Sequence, residues 1–114
     1  MGANIKLLKL HETRREDETT RMSRNFVKRK EFNCATFNSG DYGTYLSGGF
    51  VPEHTHSDIE EVFYFTRGSG IVILDGKEIP VSAGDVICVP PGVRHGIKNN
   101  GLDVLEHIVC SAKI

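Results

Sequence analysis

The sequence predicts an all-β domain, either a barrel or a sandwich. Its 114 residues include 12 glycines and four prolines, which mark many tight turns. Short apolar or alternating runs of strand length recur between these turns. Because no amphipathic window with helix caps is found, no helix is expected. A chain of this length forms a single domain with one hydrophobic core.

The first 41 residues are expected to hold a strand, a polar arm, two further strands and a turn. In chain order these are a strand over 4–10, a long loop or arm over 11–23, strands over 25–30 and 32–37, and a turn over 38–41. The assignment rests on the apolar alternation of the first segment and the unpatterned polarity of the second. The chain thus divides into an N-terminal strand and polar arm, residues 1–24, and a barrel domain, residues 25–114. Met22 is an alternative start.

The rest of the chain is predicted to form short strands joined by turns. Strands are expected over 43–47, 71–74, 77–81, 86–89, 93–99 and 104–110. Asp75-Gly76 is the sequence signal of a two-residue type I′ hairpin turn. Pro80 lacks the N–H that a strand ladder needs, so its strand is expected to lie at a sheet edge or to break there.

The stretch from Gly48 to Gly68 brings two histidines and a carboxylate close in sequence. His54 and His56 are two residues apart, so in a strand both imidazoles leave the same face. Glu61 follows and opens the apolar run 62–65. Imidazole and carboxylate together suit a divalent manganese, iron, nickel, cobalt or zinc ion. A His-x-His pair alone, however, is more often two surface histidines at a loop edge.

A second stretch, from Gly84 to Asn99, contains another directed histidine. Pro90-Pro91-Gly92 forces a turn between a strand and His95. A strand, a rigid turn and a histidine in this order can direct one imidazole into a barrel interior.

With both stretches in view, the chain resembles the cupin superfamily. The ten positions that carry the resemblance are Gly48, His54, His56, Glu61 and Gly68 for the first cupin motif and Gly84, Pro90, Gly92, His95 and Asn99 for the second. All ten have the family's spacing. The segment between the two motifs, residues 69–83, is similar in length to that of compact microbial single-domain members.

The resemblance implies a fold, a metal site and an assembly. The fold is a double-stranded β-helix, or jelly roll, with the metal inside the barrel. The implied ligands are His54, His56, Glu61 and His95, which would hold one divalent ion per chain, whereas Asn99 would support a turn or a ligand. Small members are commonly homodimers, and a dimer also covers sheet edges that would otherwise stay open.

Strand parity suggests which side chains line the pocket. If Glu61 points inward, Phe63 and Phe65 do so too, whereas Val62 and Tyr64 point outward. Apolar walls around a polar centre are typical of small-molecule sites.

Two residues outside the motifs are further candidates for the pocket wall. Tyr45 lies in the strand before the first motif, and His107 lies in the last strand. A core or interface position is the alternative for His107. Arg94 adjoins His95 and is therefore expected to face away from it, and Glu53 has the wrong parity for a ligand.

The ligand set predicts chemistry rather than a closed structural site. Three neutral ligands and one carboxylate leave an octahedral divalent ion with open positions. The set resembles that of oxalate-decarboxylase-like and quercetinase-like members, which implies a dioxygenase, decarboxylase, isomerase or lyase acting on a small oxygen-rich carboxylate, sugar or diol. The chain lacks the second cupin domain of those enzymes, so their substrate is not transferred. The alternatives are a non-catalytic sugar- or metabolite-binding or sensing module, and a structural dimer without metal.

Composition argues against several other classes. Three scattered cysteines without a Cys-x-x-Cys pair argue against a disulfide framework or a thiolate zinc site, and apolar neighbours predict buried thiols at Cys88 and Cys110. Lys28-Arg29-Lys30 is too short a basic run to indicate nucleic acid binding. The chain has neither an apolar run of membrane-spanning length nor a signal-peptide core. A cytoplasmic protein without nucleic-acid or membrane partners is therefore expected.

Overall fold

The structure is a computed structural model that describes residues 7–114. Within this range the strands are β1 (Arg15–Asp17), β2 (Arg21–Lys28), β3 (Phe37–Tyr45), β4 (Phe50–His54), β5 (Ile59–Arg67), β6 (Ser69–Leu74), β7 (Lys77–Ser82), β8 (Val86–Val89), β9 (His95–Lys98) and β10 (Leu105–Lys113). Two short helices accompany them, a 3-10 turn at Leu10–Glu12 and α1 at Arg29–Phe32. The all-β prediction is confirmed, although the expectation that no helix forms is wrong for these two short segments.

The strands form two antiparallel sheets that enclose the core. The larger sheet has the order β1-β2-β3-β10-β5-β8, and the smaller has the order β4-β9-β6-β7. The buried apolar side chains come from both sheets: Tyr45, Phe63, Phe65, Val72, Val81, Val89, Ile97 and Leu105. The core therefore lies between the sheets, where it supports the walls of an interior cavity.

Strand β5 alternates between core and solvent as its sequence predicts. Phe63 and Phe65 are buried, whereas Val62 and Tyr64 each remain 46% exposed. Because successive side chains of a strand point to opposite faces, the same alternation turns Glu61 inward.

The predicted hairpin between β6 and β7 forms. Asp75 and Gly76 both have positive φ, 48° and 82°, as a type I′ turn requires. Strand β7 lies at the edge of the smaller sheet. Pro80 is therefore accommodated where the predicted edge position allows a missing backbone donor.

The N-terminal segment differs from the prediction. Residues 4–6 of the expected first strand lie outside the described residues, and its last residue, Leu10, starts the 3-10 turn. The expected polar arm instead contains β1 and the start of β2, which runs across the predicted division at residue 24. Backbone pairing of β1 with β2 and of β2 with β3 holds this polar hairpin, and the ion pair between Arg21 and Glu18 at 2.7 Å spans its turn, so it needs no apolar periodicity.

The segment before β3 also differs from the prediction. The strand expected over 32–37 is replaced by the end of α1 and by Asn33, whose left-handed φ of 58° ends that helix. The turn expected over 38–41 lies within β3. Its turn-forming side chains find partners across the sheet instead, since Asn38 Nδ2 donates to Ser111 Oγ at 3.1 Å and Asn25 Nδ2 donates to Asp41 Oδ1 at 2.7 Å.

The cysteines are less buried than predicted. Cys88 is exposed and Cys110 is only half-buried. Their strand positions explain this, because Cys88 and Cys110 both pair with Val62, whose side chain faces outward. Burial nevertheless raises the pKa of the Cys110 thiol. Among residues 7–114 no helix is long and apolar enough to cross a membrane.

Candidate metal centre

Three strands and one turn bring the predicted ligands together. His54, the last residue of β4, pairs with His95, the first residue of β9. Glu61 projects inward from β5, in the larger sheet. His56 lies beyond the end of β4, so the prediction that a single strand face presents both histidines is wrong for this residue. The carbonyl of His56 instead accepts the backbone N–H of Gly92 at 2.7 Å, which ties the two motifs together.

The four side chains converge on one point. One ligand atom from each of His54, His56, Glu61 and His95 lies within 4.8 Å of all the others. The imidazole centroids of His54 and His95 are 4.3 Å apart, and those of His54 and His56 are 4.7 Å apart. Such a spacing places four donor atoms around a volume that one divalent ion can fill.

Backbone carbonyls orient two of the imidazoles. His54 Nδ1 donates to the Pro52 carbonyl at 2.8 Å, and His95 Nδ1 donates to the Val93 carbonyl at 2.9 Å. A carbonyl oxygen can only accept, so both Nδ1 atoms carry hydrogen and both Nε2 atoms retain a lone pair when the rings are neutral. Bonds of this kind fix the tautomer of histidines that bind metals.

The contact between Glu61 and His95 requires a proton or a metal ion between the two side chains. His95 Nε2 lies 3.0 Å from Glu61 Oε1, and neither buried atom has a hydrogen-bond partner within residues 7–114. Two facing acceptors are stable only with a proton or a metal ion between them. The Glu61 carboxylate accordingly raises the pKa of His95 against the opposing effect of burial, and a bound metal would displace that proton. The residues present therefore fit a divalent ion.

A cavity of about 220 Å³ opens onto the candidate ligands. His54, Glu61 and His95 line it, together with apolar side chains of which Phe63 is the largest. The predicted wall residues Tyr45 and His107 also line it. Phe65 points inward as expected but is fully buried and lies outside the cavity wall, because its ring packs behind His107 at a centroid distance of 5.6 Å.

Tyr45 and His107 form a buried pair beside this cavity. The Tyr45 hydroxyl lies 2.9 Å from His107 Nε2, and each side chain is only 3% exposed. Burial lowers the pKa of His107 to about 4 and raises that of Tyr45 above its usual range. Both groups are therefore neutral near pH 7. His107 thus combines the two alternatives left open by its sequence, since it is a core residue that also lines the cavity.

Sequence reasoning missed several cavity residues. Arg21, Ser23 and Asp41 line the same cavity, but they lie in segments that were expected to be an arm and a turn. Met22, between Arg21 and Ser23, also lines the cavity, so no alternation in the sequence of β2 marked these residues. Burial raises the pKa of Asp41.

The outer surface near the site agrees with the parity argument. Arg94 faces away from the ligands, with its Nε 3.7 Å from Glu53 Oε1. A larger cavity of about 500 Å³ lies elsewhere, against Leu10, Arg15 and Tyr42, and none of the four candidate ligands lines it.

Two curated relatives and one solved structure are similar to this chain. Over 61 residues it is 36% identical to the oxalate-binding protein of Thermotoga maritima, which covers 54% of this chain and 50% of the relative. Over 56 residues it is 45% identical to the acireductone dioxygenase of Gluconacetobacter diazotrophicus, which covers 46% of this chain and 31% of the relative. The chain thus spans half or less of the length of these relatives.

The fold is similar to the crystal structure of a predicted oxalate decarboxylase from Thermotoga maritima. The TM-score is 0.86 at 21% identity, and the match covers 96% of this chain and 100% of that chain. This likeness confirms the predicted jelly roll. The model of the cupin domain family matches residues 42–110, which include both sequence motifs. Since that match spans more than half of the chain, the chain belongs to the cupin family.

Proposed function

We propose that this chain binds one divalent ion through His54, His56, Glu61 and His95 and acts as a metal-dependent enzyme on a small oxygen-rich substrate. The main support for this proposal is that one ligand atom from each of these four residues lies within 4.8 Å of the others. The orientation of His54 and His95 by backbone carbonyls supports it, because it leaves their Nε2 atoms free to bind metal.

The donor set favours a catalytic role over a structural one. It contains no thiolate, and four protein ligands leave open positions on an octahedral ion. When bound, such an ion would polarise a carbonyl or carboxylate oxygen of the substrate. Phe63 and the neighbouring apolar wall would exclude water from the reacting group, while the cavity admits only a small molecule.

The names of the relatives are compatible with two kinds of activity. One relative is named as a dioxygenase and another as an oxalate-binding protein. The first favours an enzyme of the dioxygenase, decarboxylase, isomerase or lyase type. The second favours the alternative that the chain binds or senses a small carboxylate or sugar without converting it.

Mass spectrometry of the bound ligand separates these alternatives. We expect a small carboxylate, sugar or diol to be released from metal-loaded protein on denaturation, and to be consumed when it is incubated with fresh protein in air. A ligand that is bound and returned unchanged would support the binding module and contradict the enzyme. Glu61→Gln, which retains the shape of the side chain but removes its charge, serves as the inactive control.

We further propose that the chain forms a homodimer through the outer face of the larger sheet. Val62 and Tyr64 are each 46% exposed there, and Val86 is 56% exposed. Burying exposed apolar side chains of this size would stabilise an association. Sedimentation equilibrium should then give twice the 12.7 kDa of one chain, and a mass of 12.7 kDa would contradict the dimer.

A further inference from the structure

Arg21 is the only lysine or arginine among the described residues that line the cavity of the candidate metal centre. It is the first residue of β2 and pairs with Tyr45 of β3, whose buried side chain lines the same cavity. Residues that are directly opposite in an antiparallel ladder project to the same face, so the Arg21 side chain is directed towards the cavity. The cavity thus contains one permanent positive charge that no metal ligand supplies.

Backbone hydrogen bonds fix the start of β2, where Arg21 lies. The Arg21 carbonyl accepts the N–H of Glu18 at 2.7 Å, which closes the turn between β1 and β2. The carbonyl of the preceding residue, Thr20, accepts the N–H of Leu46 at 2.8 Å, directly after β3. The backbone at Arg21 is therefore held on both sides, which favours a binding role for its side chain over that of a freely moving surface charge.

The guanidinium of Arg21 keeps hydrogen-bond donors available for a ligand. Its Nη2 atom donates to Glu18 Oε1 at 2.7 Å, and the guanidinium also lies near the Tyr45 hydroxyl. Because a guanidinium has several N–H donors, these contacts leave others free. The Glu18 side chain is 66% exposed, and an ion pair with so exposed a partner is weak because water screens it. Glu18 therefore offsets only part of the charge that Arg21 presents to the cavity.

The charges that line the cavity favour an anionic ligand once a divalent ion is bound. The carboxylates of Glu61 and Asp41 balance the charge of such an ion, and Asp41 Oδ1 is held by a hydrogen bond from Asn25 Nδ2 at 2.7 Å. Burial lowers the pKa of His107 to about 4, so this residue contributes no charge at neutral pH. Arg21 consequently leaves one positive charge in excess. The apolar side chains around it reduce the screening of this charge by water.

We infer that Arg21 binds a carboxylate of the substrate, so that the substrate is a small organic monoanion rather than a neutral sugar or diol. A planar guanidinium matches a carboxylate in shape and charge, and the hydrogen bonds between them are among the strong ones in proteins. The cavity of about 220 Å³ limits this class to short acids, such as small hydroxy acids. The inference rests on the proposed function, because it takes this cavity as the substrate site.

The test compares lactate with lactamide, which has nearly the same shape but no charge. Both are titrated by calorimetry into manganese-loaded protein whose metal content has been measured beforehand. Arg21→Met should weaken the binding of lactate by about tenfold or more, because a hydrogen bond between charged groups is lost, and should change that of lactamide by no more than about twofold. Arg24→Met is the matched control, because Arg24 lies on the same strand but lines a different cavity. It should change neither affinity by more than about twofold, and the metal content should stay unchanged in both variants.

The outcomes distinguish this inference from the proposed function. Failure of wild type to bind manganese would contradict both. If manganese binds, the role of Arg21 alone is overturned when wild type does not bind lactate, when Arg21→Met changes the affinities for lactate and lactamide equally, or when Arg24→Met weakens lactate binding as much as Arg21→Met does. If Arg21→Met fails to fold, Arg21→Gln, whose side chain is polar but uncharged, decides the question by the same comparison.

Discussion

The burial of His107 couples the stability of the fold to pH. Its pKa is lowered from 6.5 to about 4, so between these values the unfolded chain binds a proton that the folded chain does not. The free energy of unfolding therefore falls as the pH falls through this window, by about 3 kcal/mol for this group in full. In metal-free protein, urea unfolding of His107→Gln should lose less stability than wild type between pH 7 and pH 4.5. Equal losses of stability in wild type and His107→Gln would contradict a lowered pKa for His107.

Gly43 permits the contact between His107 and Tyr45. A Cβ at this position would lie 2.8 Å from His107 Cε1 and 2.9 Å from Nε2, so the buried ring would have to shift away from Tyr45. We expect Gly43→Ala to lower the free energy of unfolding by about 1–3 kcal/mol. Gly101→Ala is the control, because its Cβ would meet only Asn99 Oδ1 at 3.6 Å, and it should change stability by about 0.5 kcal/mol or less. Chemical denaturation measures the stability of both variants, and equal effects would argue against close packing of the His107 ring on Gly43.

At the scale of a single element, β5 shows how strand parity divides core from surface. Phe65 is fully buried, whereas the adjacent Tyr64 is 46% exposed. Phe65→Ala should destabilise the protein by about 3–5 kcal/mol, because it leaves a cavity in the core. Tyr64→Ala should cost about 1 kcal/mol or less. Thermal or urea unfolding of the two variants makes the comparison, and a reversed order would show that the parity of β5 is wrong.

Elements with strong local signals were predictable from the sequence. The β6–β7 hairpin follows from Asp75-Gly76, and the inward face of β5 follows from alternation. The hairpin formed by β1 and β2 was not, because it is held by the pairing of β2 with β3 rather than by apolar periodicity. The turn predicted over 38–41 is part of a strand for a similar reason, since Asn38 forms a hydrogen bond with Ser111, 73 residues away. Partners so distant along the chain leave no local signal.

For the molecule as a whole, the spacing of two motifs predicted the candidate ligands, but not the part of their cavity that β2 contributes. Each motif places its histidines next to a turn, so a short stretch suffices to identify them. Arg21 and Asp41 reach the cavity only because β2 and β3 pair along the edge of the larger sheet. His107 is isolated in its strand, and its pairing with Tyr45 joins residues 62 positions apart. A cavity wall assembled from three strands is therefore a property of the fold rather than of any segment.

Metal content tests the central claim most directly. Elemental analysis is applied to four proteins: wild type, His54→Ala, His95→Ala and the exposed control His11→Ala. Each is purified without chelator and reloaded in turn with manganese, iron, nickel, cobalt or zinc. We predict about one divalent ion per chain in wild type and His11→Ala, and little metal in the other two variants, because each removes a ligand from a group of four. A wild-type protein that holds no more of any of these metals than His54→Ala and His95→Ala would contradict the metal centre.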